Sequence, residues 1–160
     1  MNAFSFFIVD NTIVYIYILW YTILMKDTLN TYRRTATTVS LIRYHLVFCP
    51  RYRRKIFLIP GVEDSFKAHT ARTCKEAGIR ILAMECHIDH VHMFVDVPPQ
   101  MSIPEILKVI KGSTSHTLRE EFPQLAAMPS LWTRSYFVST AGNVSAETIQ
   151  KYVETQKTRP

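Results

Sequence analysis

Residues 79–97 read Ile79-Arg80-Ile81-Leu82-Ala83-Met84-Glu85-Cys86-His87-Ile88-Asp89-His90-Val91-His92-Met93-Phe94-Val95-Asp96-Val97. Ile79 to Cys86 has the length and composition of a strand. From Val91 onward the pattern alternates. Val91, Met93, Val95 and Val97 fall on one side of an extended chain, while His90, His92, Phe94 and Asp96 fall on the other. The link His87–His90 is too short for a crossover, so the two strands are expected to form an antiparallel hairpin. Pro98-Pro99 closes the second strand.

Working outward, Val39 to Phe48 is a further strand. Val39, Leu41, Arg43, His45 and Val47 share one face, and Ser40, Ile42, Tyr44, Leu46 and Phe48 share the other. Residues 26–38 before it read as an irregular, polar leader. Pro60-Gly61 marks a turn, Val62 to Ala77 a helix, and Gly78 its C-terminal cap. After the hairpin, Ser102-Ile103-Pro104-Glu105 is a capping box with proline in the first turn. The helix it opens should run to about Glu121, burying Ile103, Ile106, Leu107, Ile110, Thr114, Thr117 and Leu118. Leu131-Trp132 and Ser135 to Thr140 supply one more strand. Ser145 caps a last helix that carries Ile149, Tyr152, Val153 and Gln156. The order predicts an α+β fold: a ferredoxin-like antiparallel sheet (βαββαβ), helices on one face, and an appended C-terminal helix.

The chain has 160 residues and a formal net charge of +6, which favours a polyanionic partner. Three cysteines without a CxxC pair argue against a disulfide scaffold and suit a reducing cytoplasm. Residues 1–24 are different in kind: Asp10 is their one charged side chain, and Ile13 to Met25 is apolar apart from Thr22. They lack the basic start and small-residue cleavage site of a signal peptide. The expectation is that Met25 is the true start and that residues 25–160 form the domain, with 1–24 an extension outside it.

Four features could carry chemistry. His90 and His92 offer two nitrogen ligands on one strand face. Tyr152 and Gln156, four apart on a helix, present a phenol and an amide oxygen side by side. A divalent ion held by His90, His92 and Gln156 could polarise an oxygen of a phosphate whose phosphorus Tyr152 attacks. Imidazole donors suit Mn²⁺ as well as other ions, so Mg²⁺ and Mn²⁺ both stay open. The basic run Arg51-Tyr52-Arg53-Arg54 and the helical residues Lys108, Lys111 and Arg119 are candidate nucleic-acid contacts, with Tyr52 placed to stack on a base. Plainer readings stand beside these. A His-x-His pair on a strand is more often structural, a basic loop is often only solvated, and Cys86, His87, His90 and His92 could form a zinc cluster.

Taken together, Asp89-His90-Val91-His92, Lys111-Gly112, Leu131-Trp132, the run Ser135 to Val144 and Tyr152-Val153-Glu154-Thr155-Gln156 resemble the HUH superfamily of single-stranded DNA nucleases. Within it the chain is similar to the single-tyrosine transposases of bacterial insertion sequences, the IS-two-hundred group, over about residues 30–157. The resemblance implies a transposase that cuts and rejoins single-stranded DNA through a 5′-phosphotyrosine. Tyr152 would be the nucleophile, and His90, His92 and Gln156 would hold Mg²⁺ or Mn²⁺. It further implies DNA hairpins at the element ends as partners, a cytoplasmic homodimer with merged sheets, and no small-molecule cofactor. Arg51-Tyr52-Arg53-Arg54 stands where the family commonly has Lys-Tyr-Arg-Arg. The rivals are a ferredoxin-like nucleic-acid-binding module without chemistry, in which Tyr44 or Phe48 would stack bases, and a domesticated relative with the same chemistry.

Overall fold

The computed structural model describes residues 32–140. Its centre is the strand pair β3 (Arg43–Phe48) and β5 (Val91–Asp96), antiparallel, with Leu46 opposite Met93 and Val47 opposite His92. The outer strands are β4 (Arg80–Cys86), which pairs with β5, and β6 (Phe137–Thr140), which pairs with β3. The sheet order β4-β5-β3-β6, antiparallel throughout, is the arrangement that the βαββαβ reading predicts. A register irregularity between Ile81 and Ala83 lies on β4.

Two helices supply much of the rest of the core: α1 (Val62–Glu76) and α2 (Ile103–Glu121). Their apolar stripes, including Phe66, Cys74, Ile106, Ile110 and Leu118, join Leu46, Phe48, Val91, Met93 and Val95 in one buried cluster. The helix ends follow the expected chemistry. Gly78 adopts φ +71° after α1. Ile79 N–H then reaches the Cys74 carbonyl at 2.8 Å and Gly78 N–H the Lys75 carbonyl at 3.1 Å, which satisfies carbonyls that the helix leaves open. At α2, Glu105 accepts from the Ser102 amide at 2.8 Å while Ser102 Oγ accepts from the Glu105 amide at 3.4 Å.

Three expectations are corrected. Residues 39–48 are not one strand. Val39–Ser40 (β2) pairs with Arg33–Arg34 (β1) in a small separate hairpin, so part of the supposed leader is ordered. A Thr35 turn makes this possible, its hydroxyl accepting from Thr38 N–H at 3.0 Å. Leu131 and Ser135 do not belong to the last strand: Trp132 makes a lone bridge to Pro50, and β6 begins at Phe137. A short helix, α3 (Pro123–Ala126), follows α2 where no element was expected. The helix expected after Ser145 and residues 1–24 lie outside the described residues. Among the described residues, no helix is long and apolar enough to cross a membrane.

The sheet face away from α1 and α2 is also shielded at one end. Asp96 is fully buried and is clasped by Arg33, by Arg80 Nη2 at 3.0 Å and, at 3.9 Å, by Arg43. Register explains the cluster, because Arg43 and Arg80 are the two cross-strand partners of Asp96.

Candidate metal centre and nucleic-acid cleft

The hairpin turn between β4 and β5 gathers three histidines. His87 N–H donates to the His90 carbonyl at 2.8 Å, which closes the turn. The His87 and His90 rings then stack with centroids 4.4 Å apart and planes 3° from parallel. His92, first of its face on β5, brings its ring to 5.0 Å from that of His90. One ring nitrogen from each of His87, His90 and His92 falls within 4.8 Å of the others. The His-x-His spacing therefore does bring the predicted pair together. His87 entered the sequence reading only as part of a zinc alternative. It reaches the site because a tight hairpin folds position i onto position i+3.

Each of the predicted histidines has its Nδ1 engaged. His90 Nδ1–H donates to Asp89 Oδ1 at 2.6 Å. His92 Nδ1 shares a hydrogen bond with His45 Nε2 at 3.1 Å, and the two rings stack at 5.3 Å. With Nδ1 occupied, Nε2 is the atom that each imidazole offers to an ion, an arrangement common to metal-binding histidines. His45 was placed on a strand face by the alternation but given no role. Its part depends on the β3–β5 register, which spacing within one strand does not disclose.

Electrostatics suit ligands rather than cations. Burial first, then the neighbouring His90, His45 and His87, push the His92 imidazole down to about 4, so it is neutral at pH 7. Burial lowers His45 as well. Asp89 is held down to about 2, chiefly by its hydrogen bond from Arg53, with His90 adding to the effect. A neutral imidazole at His92, and ring nitrogens of fixed orientation, are what a divalent ion with nitrogen affinity requires, so the residues present fit such an ion.

A cleft of about 500 Å³ opens beside His90 and His92, and Arg53, Cys49, Tyr136 and Phe137 also line it. Tyr136 and Phe137 are exposed aromatics, as is Tyr52 at 73%. Phe48 is only 2% exposed and packs against Trp132, which removes it as a base-stacking surface. The basic run forms a tight loop. Tyr52 and Arg53 both adopt positive φ, +61° and +49°. Left-handed backbone costs a non-glycine residue about 1–2 kcal/mol. The turn lays Arg51 over the Tyr52 ring at 5.1 Å and brings Arg53 Nε to Asp89 Oδ2 at 2.8 Å. Arg54 follows in exposed, extended backbone.

The helical cations do not act as one stripe. Lys111 is half-buried; its ammonium donates to the carbonyls of Thr133 at 3.2 Å and Ser135 at 3.1 Å and sits over the rings of Phe48 and Tyr136. Burial lowers its pKa. It tethers the segment that leads into the cleft wall. Arg119 donates to the Ala126 carbonyl at 3.2 Å, and Lys108 lines a different groove with Glu105 and Met101. Tyr152 and Gln156 lie outside the described residues.

Comparison with known proteins gives one family. The model of the family described as "Transposase IS200 like" matches residues 38–156. The chain is 32% identical over 121 residues to the ISDra2 transposase TnpA of Deinococcus radiodurans, covering 74% of this chain and 86% of that protein. It is 35% identical over 117 residues to the transposase for insertion sequence element IS200 of Salmonella typhimurium, covering 71% and 76%. Among solved structures, a transposase from Deinococcus radiodurans R1 superposes with a TM-score of 0.63 at 30% identity, covering 78% of this chain and 97% of that one. A REP-associated tyrosine transposase bound to a REP hairpin shares the fold, with a TM-score of 0.58 at 13% identity over 81% and 73% of the two chains. Fold, histidine site and sequence kinship agree, and the chain belongs to the IS200-like transposase family.

Proposed function

We propose that this transposase cuts and rejoins single-stranded DNA at the ends of an insertion sequence, with Tyr152 as nucleophile and His90, His92 and Gln156 as holders of a divalent ion, Mg²⁺ or Mn²⁺. The observation that carries the reading is the convergence of His87, His90 and His92, with ring nitrogens within 4.8 Å, beside a cleft lined by Arg53 and exposed aromatics. Such an ion would polarise a phosphate oxygen as charge develops on it.

The chain's own residues would do the remainder. The Tyr152 oxygen attacks phosphorus, the bond from phosphorus to the 3′ oxygen breaks, and that oxygen leaves as a hydroxyl after taking a proton. The product is a 5′-phosphotyrosine. The reverse attack, by a 3′-hydroxyl, restores a phosphodiester without external energy. A phenol of pKa about 10 is ionised in only about one molecule per thousand at pH 7, a deficit of about 4 kcal/mol. Cations of the Arg51–Arg54 loop can offset part of it by stabilising the phenolate and the phosphate. Tyr52, Tyr136 and Phe137 offer faces for unpaired bases.

The hairpin held by the REP-associated relative supports hairpin ends as the DNA partner of this chain. A homodimer, a cytoplasmic setting for the free cysteines Cys49, Cys74 and Cys86, and a domain spanning 25–160 complete the proposal.

The test is incubation with a single-stranded copy of the element's end and Mn²⁺. A covalent adduct that survives a denaturing gel, needs the ion and vanishes in Tyr152→Phe supports the reading. Adduct formation by Tyr152→Phe removes the nucleophile assignment. Stoichiometric, tightly bound zinc after purification would instead favour a zinc site, to which His87 would contribute.

A further inference from the structure

The basic loop and the metal ligands are usually separate concerns, one for phosphate and one for catalysis. Here a single carboxylate joins them. Asp89 Oδ1 accepts from His90 Nδ1–H at 2.6 Å, and Asp89 Oδ2 accepts from Arg53 Nε at 2.8 Å. The two oxygens are used in opposite directions, so the carboxylate cannot rotate without breaking one bond. Arg53 reaches it from a turn in which Tyr52 and Arg53 both take left-handed backbone. Persistent strain of this kind at a functional site points to a geometry that the site needs.

We infer that Arg53 is a positioning residue for His90: through Asp89 it fixes the imidazole with Nε2 directed to the ion, before any DNA is present. The inference rests on the histidines being a metal site. Its consequence is that a loop cation, which would ordinarily be credited with phosphate contact alone, also sets metal affinity in the free protein. Carboxylates behind metal-binding histidines have this effect in general, since they fix both tautomer and ring orientation.

The experiment measures Mn²⁺ affinity by electron paramagnetic resonance in the full chain, without DNA. Asp89→Asn is expected to weaken it by about 10- to 100-fold, the usual cost of losing such a partner. Arg53→Asn, chosen because asparagine tolerates positive φ, should weaken it by about two- to fivefold, the factor an exposed ion pair commands. Arg53→Lys should retain most of the affinity. The double variant should bind no more weakly than Asp89→Asn, because the two residues act in series.

A role in phosphate contact alone would lower DNA affinity and leave DNA-free Mn²⁺ binding untouched in Arg53→Asn, and that result overturns the inference. So does strict additivity in the double variant. Failure of the unmodified protein to bind Mn²⁺ is a different outcome: it removes the metal reading itself. Unchanged thermal melts of the metal-free variants show that lost affinity is not lost fold.

Discussion

Asp96→Asn removes one charge and almost no volume from the most enclosed ionic cluster among the described residues. Asp96 is 0% exposed, and around it stand Arg33, Arg80 and Arg43, whose side chains are 20%, 34% and 1% exposed. Taking one partner from a buried ion pair costs about 3–5 kcal/mol because the remaining charge loses its compensation. Water reaches Arg33 and Arg80 and screens them, whereas Arg43 has no such relief. Among the described residues its three guanidinium nitrogens find no hydrogen-bond partner. The lower end, about 3 kcal/mol, is therefore expected. For a chain of this size the midpoint of thermal unfolding should fall by on the order of 6–12 °C. Calorimetry or a circular-dichroism melt at pH 7 measures it. Adding Arg43→Met to Asp96→Asn should recover most of the loss, since an apolar side chain in that pocket leaves no charge to desolvate. A cost below about 1 kcal/mol for Asp96→Asn, or no recovery in the pair, would show instead that some other group compensates Arg43.

Other consequences concern pH and local tethers. His92 has a folded-state pKa of about 4, below the ordinary 6.5, so the unfolded chain binds more protons between those values. Stability of the metal-free protein should therefore be intact above pH 6.5 and decline as pH falls toward 4, and urea midpoints across that range will show it; a flat profile contradicts a buried neutral His92. Lys111→Met abolishes two bonds to the Thr133 and Ser135 carbonyls. It should cost about 1–2 kcal/mol and speed amide exchange over residues 133–137 more than in α1. Ser102→Ala breaks the capping box at α2 and should cost about 1 kcal/mol in chemical denaturation.

Much of the fold was legible because local pattern and tertiary structure agree. The short link after Cys86, the alternation from Val91 and the capping box at Ser102 each have one economical reading, and strands and helices lie where those signals put them. The break after Ser40 was hidden, because Val39 to Phe48 contains no glycine or proline to mark it and the partner of Val39–Ser40 is a polar segment with no strand signal. The His90–His92 pair was visible as spacing within one strand. His45 and the three arginines around Asp96 were not, because their placement comes from register between strands distant in sequence. Lys111 resembled a solvated cation on a helix. Its length lets it fold back along aromatic rings to carbonyls more than twenty residues away.

The central claim is that the phenol at position 152 attacks DNA at an ion-bearing histidine site. Its most direct test is to trap the protein with a single-stranded hairpin end and Mn²⁺, digest with trypsin and map the nucleotide by mass spectrometry. The expected result is a phosphonucleotide on the peptide that begins at Tyr152, absent without the ion and absent in His92→Ala. An adduct on any other residue, or one that forms equally well in His92→Ala, would contradict it.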